Sequence, residues 1–465
     1  MSPRPDFLNG RVLIAGAGVS GRGCAAVLAG LGVDITVADG HADSRSRLES
    51  ELGVATVDPD EVDWSDYSLV VTSPGWRPDS PLLAAAASRR LDVIGDVELA
   101  YRLDRAEVFG APRRWLAITG TNGKTTTTGM LAAIMAADEQ RSGLRSQAVG
   151  NIGISPFDAL AATPRVDILV AELSSFQLHW SSQLRPEVGA LLNLADDHLD
   201  WHGSFDAYAA DKAKILGGDH AVIGLDDDYV STHYGHTEPP HIGFTHTEPA
   251  PGQVGVSAGG LFINDVAGVT ATVIEDVTTL QPAGLAGVLD AAAAAAVAAR
   301  AGAHPASITE GLQSYVVAGH RGEIVHEHAD VTFIDNSKAT NPHAAEIALR
   351  GLDSVVWVAG GQLKGADVSE LLRTHADRIK AAVLVGVDKH LLAQALTKAA
   401  PHVPIVLVES RDPQAAMDEA VAAAVQHADA GDTVLLAPAA ASLDMYTGMS
   451  QRGDMFAAAA RRLAR

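Results

Sequence analysis

A loop rich in glycine and threonine carries the strongest chemical signal in the sequence. It follows a short β-branched run and precedes a segment with helical periodicity. Backbone N–H groups of such a loop bind anions, its lysine reaches the outer phosphates of a nucleotide, and the threonine after the lysine can ligate Mg²⁺. The usual G-x-x-x-x-G-K-[ST] spacing would need glycine at Ile118, so this is a tighter variant of the motif. The loop therefore predicts an ATP-phosphate site formed by Gly120, Thr121, Asn122, Gly123, Lys124, Thr125 and Thr126.

Acidic, imidazole and amine groups follow the next predicted strands. Glu172 comes directly after the run 168–171, Asp197 and His198 follow the run 189–193, and Lys212 lies on the helix predicted after Phe205. Each group taken alone could be a surface or capping residue. Close to a phosphate loop, however, carboxylates and imidazoles are natural ligands of the Mg²⁺ that bridges nucleotide phosphates.

A second glycine motif lies near the N-terminus. Residues 16–21 read Gly-Ala-Gly-Val-Ser-Gly, which matches G-x-G-x-x-G between a strand and a helix, and Asp39 closes a second strand about 20 residues later. Residues 73–75, Ser-Pro-Gly, follow a third strand and are expected at the same edge of the sheet. The motif predicts a diphosphate ligand but leaves open whether that ligand is NAD or another compound.

Three stretches of alternating strands and helices must position these groups, and they predict α/β domains with parallel sheets. We predict strands at 12–15, 35–38 and 69–72 in the first stretch, and at 116–119, 168–171 and 189–193 in the second. In the third we predict strands at 355–359, 382–387, 405–408 and 433–437. Residues 102–114 are interpreted as a charged, helix-poor connector, and a further break is placed near 318–322.

Residues 226–262 are rich in proline, glycine, histidine and threonine, which predicts turns and short antiparallel strands. His233, His236, His241 and His246 lie here without cysteines or an ordered carboxylate pattern. We interpret them as solvated loop histidines and not as metal ligands, and the nearby prolines argue against a pair of histidines on one helix.

Composition limits the possible partners. The 465 residues contain 34 Lys+Arg and 57 Asp+Glu, so the formal net charge is −23. This acidic excess argues against nucleic-acid and anionic-membrane partners, which need a basic surface. A single cysteine, Cys24, excludes an internal disulfide, residues 1–10 lack an apolar signal segment, and the alanine-rich run 291–299 is too short to span a bilayer. We therefore expect a cytoplasmic protein.

The ordered motifs resemble those of the Mur ligases of peptidoglycan synthesis, over nearly the whole chain. Glu-Leu-Ser-Ser-Phe-Gln-Leu (172–178) and Ser-Lys-Ala-Thr-Asn (337–341) resemble the D-glutamate-adding branch of the family. The other matching segments are 16–21, 120–126, Gly-Asn-Ile-Gly (150–153), Asp-His-Leu-Asp (197–200), His-Arg-Gly-Glu (320–323), Gly360-Gly361 with Lys364, 438–444 and Gln-Arg-Gly (451–453). The resemblance implies a Rossmann-like UDP-substrate domain at 1–105, a central P-loop ATPase domain with a mostly parallel sheet at 106–318, and a Rossmann-like amino-acid domain at 319–465.

The resemblance also implies an activity. ATP would phosphorylate the carboxylate of UDP-N-acetylmuramoyl-L-alanine, and the amine of D-glutamate would attack the acyl phosphate to form an amide. This chemistry implies ATP as cosubstrate, two Mg²⁺ ions, a monomer that acts on small molecules, and a cytoplasmic step of cell-wall synthesis. The glycine motif would then hold a UDP-sugar instead of NAD.

Site residues carry over from the family position by position. Lys124, Glu172, His198 and Lys212 would be catalytic. Thr125, Glu172, His198 and Lys212 would hold metal, the lysine as a CO₂-derived carbamate. The remaining expected contacts are Asp290, Arg321, Asp335 and Asn336 for ATP; Val19, Ser20, Asp39, Ser73, Pro74, Gly75, Asn151 and Gln177 for the UDP-substrate; and Lys338, Thr340, Lys364, Ser442 and Leu443 for D-glutamate.

The chain departs from the family pattern at four places. The usual Asn-Asp-Ser reads Asp335-Asn336-Ser337, so the ribose acid is either shifted to Asp335 or replaced by Asn336. The usual His-Asn-x-x-Asn reads Ala-Gly-Val-Leu-Asp (286–290), which leaves only Asp290 to serve there, while Gln362 and Met449 replace an acid and an aromatic residue.

Three rival functions remain open at this point. The folylpolyglutamate synthases share the tight loop, but they are not expected to have a full domain ahead of it, as residues 1–105 would be here. A catalytically silent nucleotide-binding protein is the second rival, and an NAD-dependent oxidoreductase is the third.

Overall fold

Three β-sheets flanked by helices make up the framework of the protein. The computed structural model describes residues 4–236, 241–282, 284–317, 319–350 and 352–464. The predicted domain boundary at residue 318 lies outside these ranges, as do the chain ends at 1–3 and 465. Short 3₁₀ helices lie at Asp6–Leu8, Pro59–Glu61, Lys214–Gly217, Val277–Thr279 and Ala376–Arg378.

The first sheet has five parallel strands in the order β3-β2-β1-β4-β5. Residues 12–15 and 35–38 of two of its strands are buried, and all of them except Thr36 are apolar, because helices cover both faces of a parallel sheet. The predicted strands of this region are confirmed. The elements are β1 (Arg11–Ala15), α1 (Val19–Gly30), β2 (Ile35–Ala38), α2 (Ala42–Leu52), β3 (Ala55–Val57), β4 (Tyr67–Thr72), α3 (Pro81–Ser88), β5 (Asp92–Gly95) and α4 (Asp96–Arg105).

Helix α4 corrects one prediction. The segment from Arg102 to Arg105, interpreted as part of a helix-poor connector, is the last turn of this helix. Arg102 is buried because its guanidinium pairs with Glu98 at 2.9 Å and Asp92 at 2.6 Å. The sequence pattern shows a charged residue here but not the partners that allow its burial.

The second sheet has nine strands in the order β14-β13-β12-β11-β10-β9-β6-β8-β7, parallel except for the antiparallel pairs β12–β13 and β13–β14. Its strands are β6 (Arg114–Thr119), β7 (Ser146–Gly150), β8 (Ile168–Glu172), β9 (Val188–Leu191), β10 (His220–Gly224), β11 (Ile242–Phe244), β12 (Gln253–Ser257), β13 (Gly260–Val266) and β14 (Val269–Ile274). Its helices are α5 (Lys124–Ser142), α6 (Pro156–Ala161), α7 (Ser175–His179), α8 (Leu199–His202), α9 (Phe205–Ala213), α10 (Asp228–Tyr234), α11 (Leu285–Arg300) and α12 (Pro305–Ser314).

The histidine-rich stretch is only partly as predicted. The antiparallel pair β12–β13 is confirmed, but β11 runs parallel to both of its neighbours, and α10 is a helix where turns were predicted. The Asp227 side chain caps α10 by accepting the Val230 N–H at 2.8 Å, and His233 lies on this helix. In the ranges that the structure describes, none of the four histidines belongs to a group that could hold a metal ion.

The third sheet has six strands in the order β15-β16-β20-β17-β18-β19, and only β15 is antiparallel to its neighbour. The four strands predicted here are confirmed with ends shifted by up to three residues. The elements are β15 (Glu323–His328), β16 (Val331–Asp335), α13 (Pro342–Arg350), β17 (Val355–Gly360), α14 (Ser369–His375), β18 (Ile379–Val385), α15 (Lys389–Ala399), β19 (Ile405–Leu407), α16 (Pro413–His427), β20 (Thr433–Leu436) and α17 (Met449–Leu463).

The chain divides into two compact units. The first unit holds the first two sheets and consists of Met1–Leu194, His198–Val277 and Leu289–Tyr315. The second unit holds the third sheet and consists of Ala195–Asp197, Thr278–Val288 and Val316–Arg465. The boundaries predicted at 105/106 and 318/319 stay predictions. In the described residues, no helix combines the length and the apolar character that crossing a membrane requires.

Buried polar contacts join the two sheets of the first unit. The Glu98 carboxylate on α4, fully buried, accepts the N–H groups of Gln183 at 2.8 Å and Leu184 at 3.0 Å, which precede β9. The Gly95 N–H also donates to the Trp180 carbonyl oxygen at 2.9 Å. These contacts fix the first sheet to the second, because a buried carboxylate is costly unless all its partners are in place.

Candidate active site

The phosphate loop connects β6 to α5 at the carboxyl edge of the second sheet. Gly123 has a φ of +81° at the helix start, a conformation that glycine adopts without strain. Asn193, which follows the adjacent strand β9, holds the loop: its carbonyl accepts the Thr121 N–H at 3.0 Å and its side chain accepts the Asn122 N–H at 2.8 Å. The predicted loop residues therefore lie together in a fixed turn at a helix N-terminus, a geometry that favours phosphate.

Two lysines converge on one oxygen of this loop. Lys124 Nζ donates to the carbonyl oxygens of Gly120 at 2.9 Å and Thr121 at 2.7 Å, and Lys212 Nζ donates to the same Gly120 oxygen at 2.6 Å. Lys212 lies on α9, is 2% exposed, and has its ammonium over the Tyr208 ring. Two cations at one loop create a local positive field suited to an anionic ligand.

Glu172 ends β8, the strand next to β6, and is 1% exposed. Its Oε1 accepts a hydrogen bond from the Asn151 side-chain amide at 2.7 Å, while its buried Oε2 has no hydrogen-bond partner. A buried carboxylate oxygen without a donor is costly unless a cation completes its environment. The donor chemistry at this position therefore fits a divalent cation.

His198 and Gln177 lie in the first unit, as the phosphate loop does, and each is fixed by contacts with its neighbours in sequence or space. His198 has a φ of +53° immediately before α8, and its ring centroid is 4.7 Å from that of Phe176. Gln177 closes a capping box at the start of α7: its Oε1 accepts the Ser174 N–H at 3.0 Å, while its own N–H donates to Ser174 Oγ. The Gln177 side-chain oxygen is thus already engaged in capping.

Asp290 lies beside the phosphate loop, although it is far from the loop in sequence. Its Oδ1 accepts a hydrogen bond from Thr127 Oγ1 at 3.0 Å, and a Cβ added to Gly123 would lie 2.3 Å from the same oxygen. The carboxylate on α11 therefore packs against the loop and supports its shape.

At the carboxyl edge of the first sheet, the residues predicted to bind a diphosphate follow adjacent strands. The Asp39 Oδ2 after β2 accepts the Ala17 N–H at 2.8 Å. Burial raises the pKa of Asp39, but hydrogen bonds from the N–H groups of Ala17 and His41 outweigh it, and the net pKa lies below its ordinary value. Ser73 after β4 has a buried Oγ without a partner, and Val19 is 93% exposed at the start of α1.

A helix–strand contact shapes the same edge. A Cβ on Gly21 would lie 1.8 Å from the Gly16 carbonyl oxygen, so only glycine allows α1 to pack this closely on the turn after β1. Burial raises the pKa of the nearby Asp96 carboxyl, and the side chain of Ser20, which precedes Gly21 in α1, opposes this rise.

In the second unit, the residues predicted to bind D-glutamate follow three neighbouring parallel strands. Lys338 and Thr340 follow β16, Lys364 follows β17, and Ser442 and Leu443 follow β20, which lies between them. Lys338 and Lys364 are exposed, Leu443 is 66% exposed, and Ser442 is buried. Because the carboxyl ends of parallel strands share one edge, these residues lie at the same edge of the third sheet.

The same unit holds the remaining residues predicted to contact ATP. Asp335 is fully buried, with its Oδ2 2.6 Å from Nδ1 of His320 and its Oδ1 accepting the Ser337 N–H at 2.9 Å. Burial raises the pKa of Asp335 although His320 opposes it. Asn336 and Arg321 are half-buried. Both oxygens of Asp335 are thus engaged internally, which leaves Asn336 as the residue with an accessible side chain.

Sequence reasoning missed a polar cluster next to Lys212. Asp211 Oδ2 is 2.7 Å from Nδ1 of His179 and 3.0 Å from Nδ1 of His202, and its Oδ1 is 2.9 Å from Lys214 Nζ. Burial raises the pKa of Asp211, but these hydrogen bonds outweigh it and hold the pKa well below its ordinary value. Although the three acidic and imidazole groups could hold a metal ion, the lysine ammonium already supplies the positive charge, so we interpret the cluster as a link between α7, α8 and α9.

The chain is similar to known proteins over almost its whole length. Residues 118–274 match the Mur ligase middle domain, and residues 320–440 match the Mur ligase, glutamate ligase domain. The chain is 56% identical over 460 residues to the UDP-N-acetylmuramoylalanine--D-glutamate ligase of Corynebacterium diphtheriae, covering 97% of this chain and 96% of the relative. It is 55% identical over 464 residues to the same enzyme of Corynebacterium efficiens, covering 99% and 96%.

Solved structures share the fold at low identity. The MurF ligase of Thermotoga maritima, solved in complex with ADP, superposes with a TM-score of 0.56 at 16% identity and covers 99% of this chain and 100% of that one. The α/β framework of mostly parallel sheets covered by helices is therefore found in a solved Mur ligase.

Proposed function

The chain belongs to the Mur ligase family, and within it to the UDP-N-acetylmuramoylalanine--D-glutamate ligases; from this premise we propose that it joins D-glutamate to UDP-N-acetylmuramoyl-L-alanine with cleavage of ATP to ADP and phosphate. The observation that carries the proposal is the 56% identity over 97% of the chain to an enzyme of that name. The phosphate loop, with two lysines on one carbonyl oxygen, supports the use of ATP.

The proposed reaction has two steps. A carboxylate oxygen of the alanyl group attacks the γ-phosphorus of ATP, which gives an acyl phosphate and ADP. The D-glutamate amine then attacks the acyl carbon, the C–O bond to phosphate breaks, and the amine loses a proton as the amide forms. Since carboxylate and ATP are both anions, the site must supply positive charge, and we propose that Lys124, whose Nζ donates to the Thr121 carbonyl oxygen of the loop, supplies it at the outer phosphates.

We propose Thr125, Glu172, His198 and Lys212 as the residues that hold two Mg²⁺ ions. The unpartnered Glu172 Oε2 is the feature that supports a cation here. When bound, Mg²⁺ would neutralise phosphate oxygens and make the γ-phosphorus a better electrophile. For Lys212 we propose carbamylation by CO₂, which would turn a buried cation beside the loop into an anionic oxygen donor.

The substrate contacts are proposals that follow the family pattern. The residues proposed for ATP are those of the phosphate loop with Asp290, Arg321 and Asn336. Because both carboxylate oxygens of Asp335 are engaged in internal contacts, we favour Asn336 over Asp335 as the ribose contact. The residues proposed for the UDP-substrate are Val19, Ser20, Asp39, Ser73, Pro74, Gly75, Asn151 and Gln177, and those for D-glutamate are Lys338, Thr340, Lys364, Ser442 and Leu443. We further propose that the enzyme works as a cytoplasmic monomer on small molecules.

A screen of amino acids against ADP release tests this function. Release of ADP should require UDP-N-acetylmuramoyl-L-alanine and D-glutamate together, and the product should gain one glutamyl residue by mass spectrometry. The Lys124→Ala chain serves as the control for contaminating ATPase. Turnover with L-glutamate or L-lysine but not D-glutamate would contradict the assignment.

A further inference from the structure

Arg452 is a buried arginine near the start of α17, and it has no part in the reaction proposed above. It is 1% exposed, and its guanidinium makes four hydrogen bonds. Nε donates to Ser337 Oγ at 3.0 Å and Nη2 to the Ser337 carbonyl oxygen at 2.9 Å, while Nη1 donates to the carbonyl oxygens of Gly360 and Ala440, both at 3.2 Å. Four of its five N–H groups are therefore committed to protein acceptors.

The acceptors belong to three separate segments of the second unit. Ser337 follows β16, Gly360 ends β17, and Ala440 follows β20. The segments after β17 and β20 also pair directly, through Gln362 and Ala441. One guanidinium thus ties together the three strand ends that precede the residues proposed for D-glutamate, among them Lys338, Lys364 and Ser442.

The charge of Arg452 suits an anionic ligand. Burial lowers its pKa to about 10, so it stays protonated at neutral pH, and Tyr446, Asp444 and Asp335 act on it only at longer range. Throughout the described ranges, its hydrogen-bond acceptors are carbonyl and hydroxyl oxygens and it forms no salt bridge. A buried cation without a carboxylate partner is costly, and a bound dicarboxylate nearby would offset part of that cost.

We propose that Arg452 is a positioning residue of the amino-acid site, holding the three loops in the arrangement that binds the two carboxylates of D-glutamate. The inference rests on the proposed function, since it takes D-glutamate as the ligand. It assigns Arg452 no contact with the reacting atoms, because its N–H groups serve the loops instead.

The Arg452→Lys variant tests the proposal. Lysine keeps the charge but has one nitrogen, which cannot reach three loops at once. Because two or more hydrogen bonds are lost, the KM for D-glutamate should rise roughly tenfold or more, while the KM values for ATP and the UDP-substrate stay within about twofold. Circular dichroism and thermal unfolding of the full chain report whether the variant is folded.

A matched control separates positioning from general stability. Arg113 in the first unit is 4% exposed, and its guanidinium donates to the carbonyl oxygens of Phe109 and Leu160 at 2.8 Å and of Ala111 at 3.2 Å, with the Asp104 carboxylate 3.6 Å away. The Arg113→Lys variant should lower the melting temperature and leave the KM for D-glutamate unchanged. Since it removes a comparable buried arginine, a rise in KM confined to Arg452→Lys supports positioning.

Two results overturn the proposal: an unchanged KM for D-glutamate in a folded Arg452→Lys chain, or an equal rise of all three KM values. If that chain does not fold, Ser337→Ala decides by the same criterion, because it removes the acceptor of Nε and leaves the guanidinium in place. Failure of the proposed function is a separate outcome, since the wild-type chain would then show no turnover with D-glutamate.

Discussion

Replacing Gly123 by alanine tests the shape of the phosphate loop, because it adds a single Cβ atom at a point of close contact. The added Cβ would lie 2.3 Å from Asp290 Oδ1, in a residue whose φ is +81°. The left-handed conformation costs an alanine about 1 kcal/mol, and displacing the carboxylate breaks its hydrogen bond to Thr127, worth about 2 kcal/mol. The loop should relax away from its phosphate-binding shape, and restoring that shape costs about 3 kcal/mol, or roughly 100-fold in kcat/KM for ATP.

The structure provides two controls for this experiment. Gly143 ends the same helix with a φ of +72° and has nothing within 4 Å of an added Cβ, so Gly143→Ala should reduce stability by about 1 kcal/mol and leave kcat/KM unchanged. In an Asp290→Ala background the contact is absent, so Gly123→Ala should cost only the conformational term of about 1 kcal/mol, roughly fivefold in kcat/KM. Initial rates of ADP release at varied ATP concentration measure the change in kcat/KM for each variant. A Gly123→Ala enzyme with near-wild-type kcat/KM would refute the contact between Asp290 and the loop.

Four further predictions concern groups around the same unit. Lys124→Ala should reduce kcat/KM at least ~100-fold, as for other electrostatic catalysts, with little change in thermal unfolding. Lys212→Ala should lose activity and regain part of it when short carboxylates are added, and no recovery over a range of acids would count against the carbamate. Glu98→Ala should lower the unfolding free energy in urea by about 3–5 kcal/mol, because the buried Arg102 loses one of its two carboxylate partners and the N–H groups of Gln183 and Leu184 lose their acceptor. Since its hydrogen bonds hold the pKa of Asp211 below its ordinary value, the unfolding free-energy difference between wild type and Asp211→Asn should be constant above about pH 5 and shrink as the pH falls below about 4.

The parts of the fold that the sequence predicts well depend on local signals. β-Branched runs followed by glycine turns predict the buried parallel strands, because such strands are apolar on both faces and end at a ligand-binding edge. Strand β6, the loop after it and helix α5 are confirmed on this basis. The motif residues of the second unit are likewise found after adjacent strands of one sheet.

The parts that the sequence predicts poorly depend on distant partners. Arg102 looks like a solvent-exposed connector residue in the sequence, but the fold buries it, and its Nη2 donates to Ser182 Oγ at 3.1 Å across 80 positions. The pairing of Asp211 with His179 crosses 32 positions and that of Arg452 with Ser337 crosses 115, so no window of local sequence contains either contact. Polar groups that become buried through such pairs carry no periodicity of their own, whereas apolar faces do.

The net charge of −23 shows why overall composition cannot identify the ligands of this chain. ATP, the UDP-sugar and D-glutamate are all anions, yet the chain is strongly acidic. At physiological ionic strength exposed charges act over about 8 Å, so remote surface carboxylates are screened while buried groups are not. The local charge at the phosphate loop is set by Lys124 and Lys212, whose Nζ atoms lie 2.9 Å and 2.6 Å from the Gly120 oxygen. Carbamylation of Lys212 would reverse one of these two charges. The strength of the positive field at the loop therefore depends on the chemical state of a single side chain, which is why the short-carboxylate experiment on Lys212→Ala discriminates more sharply than any measurement of overall charge.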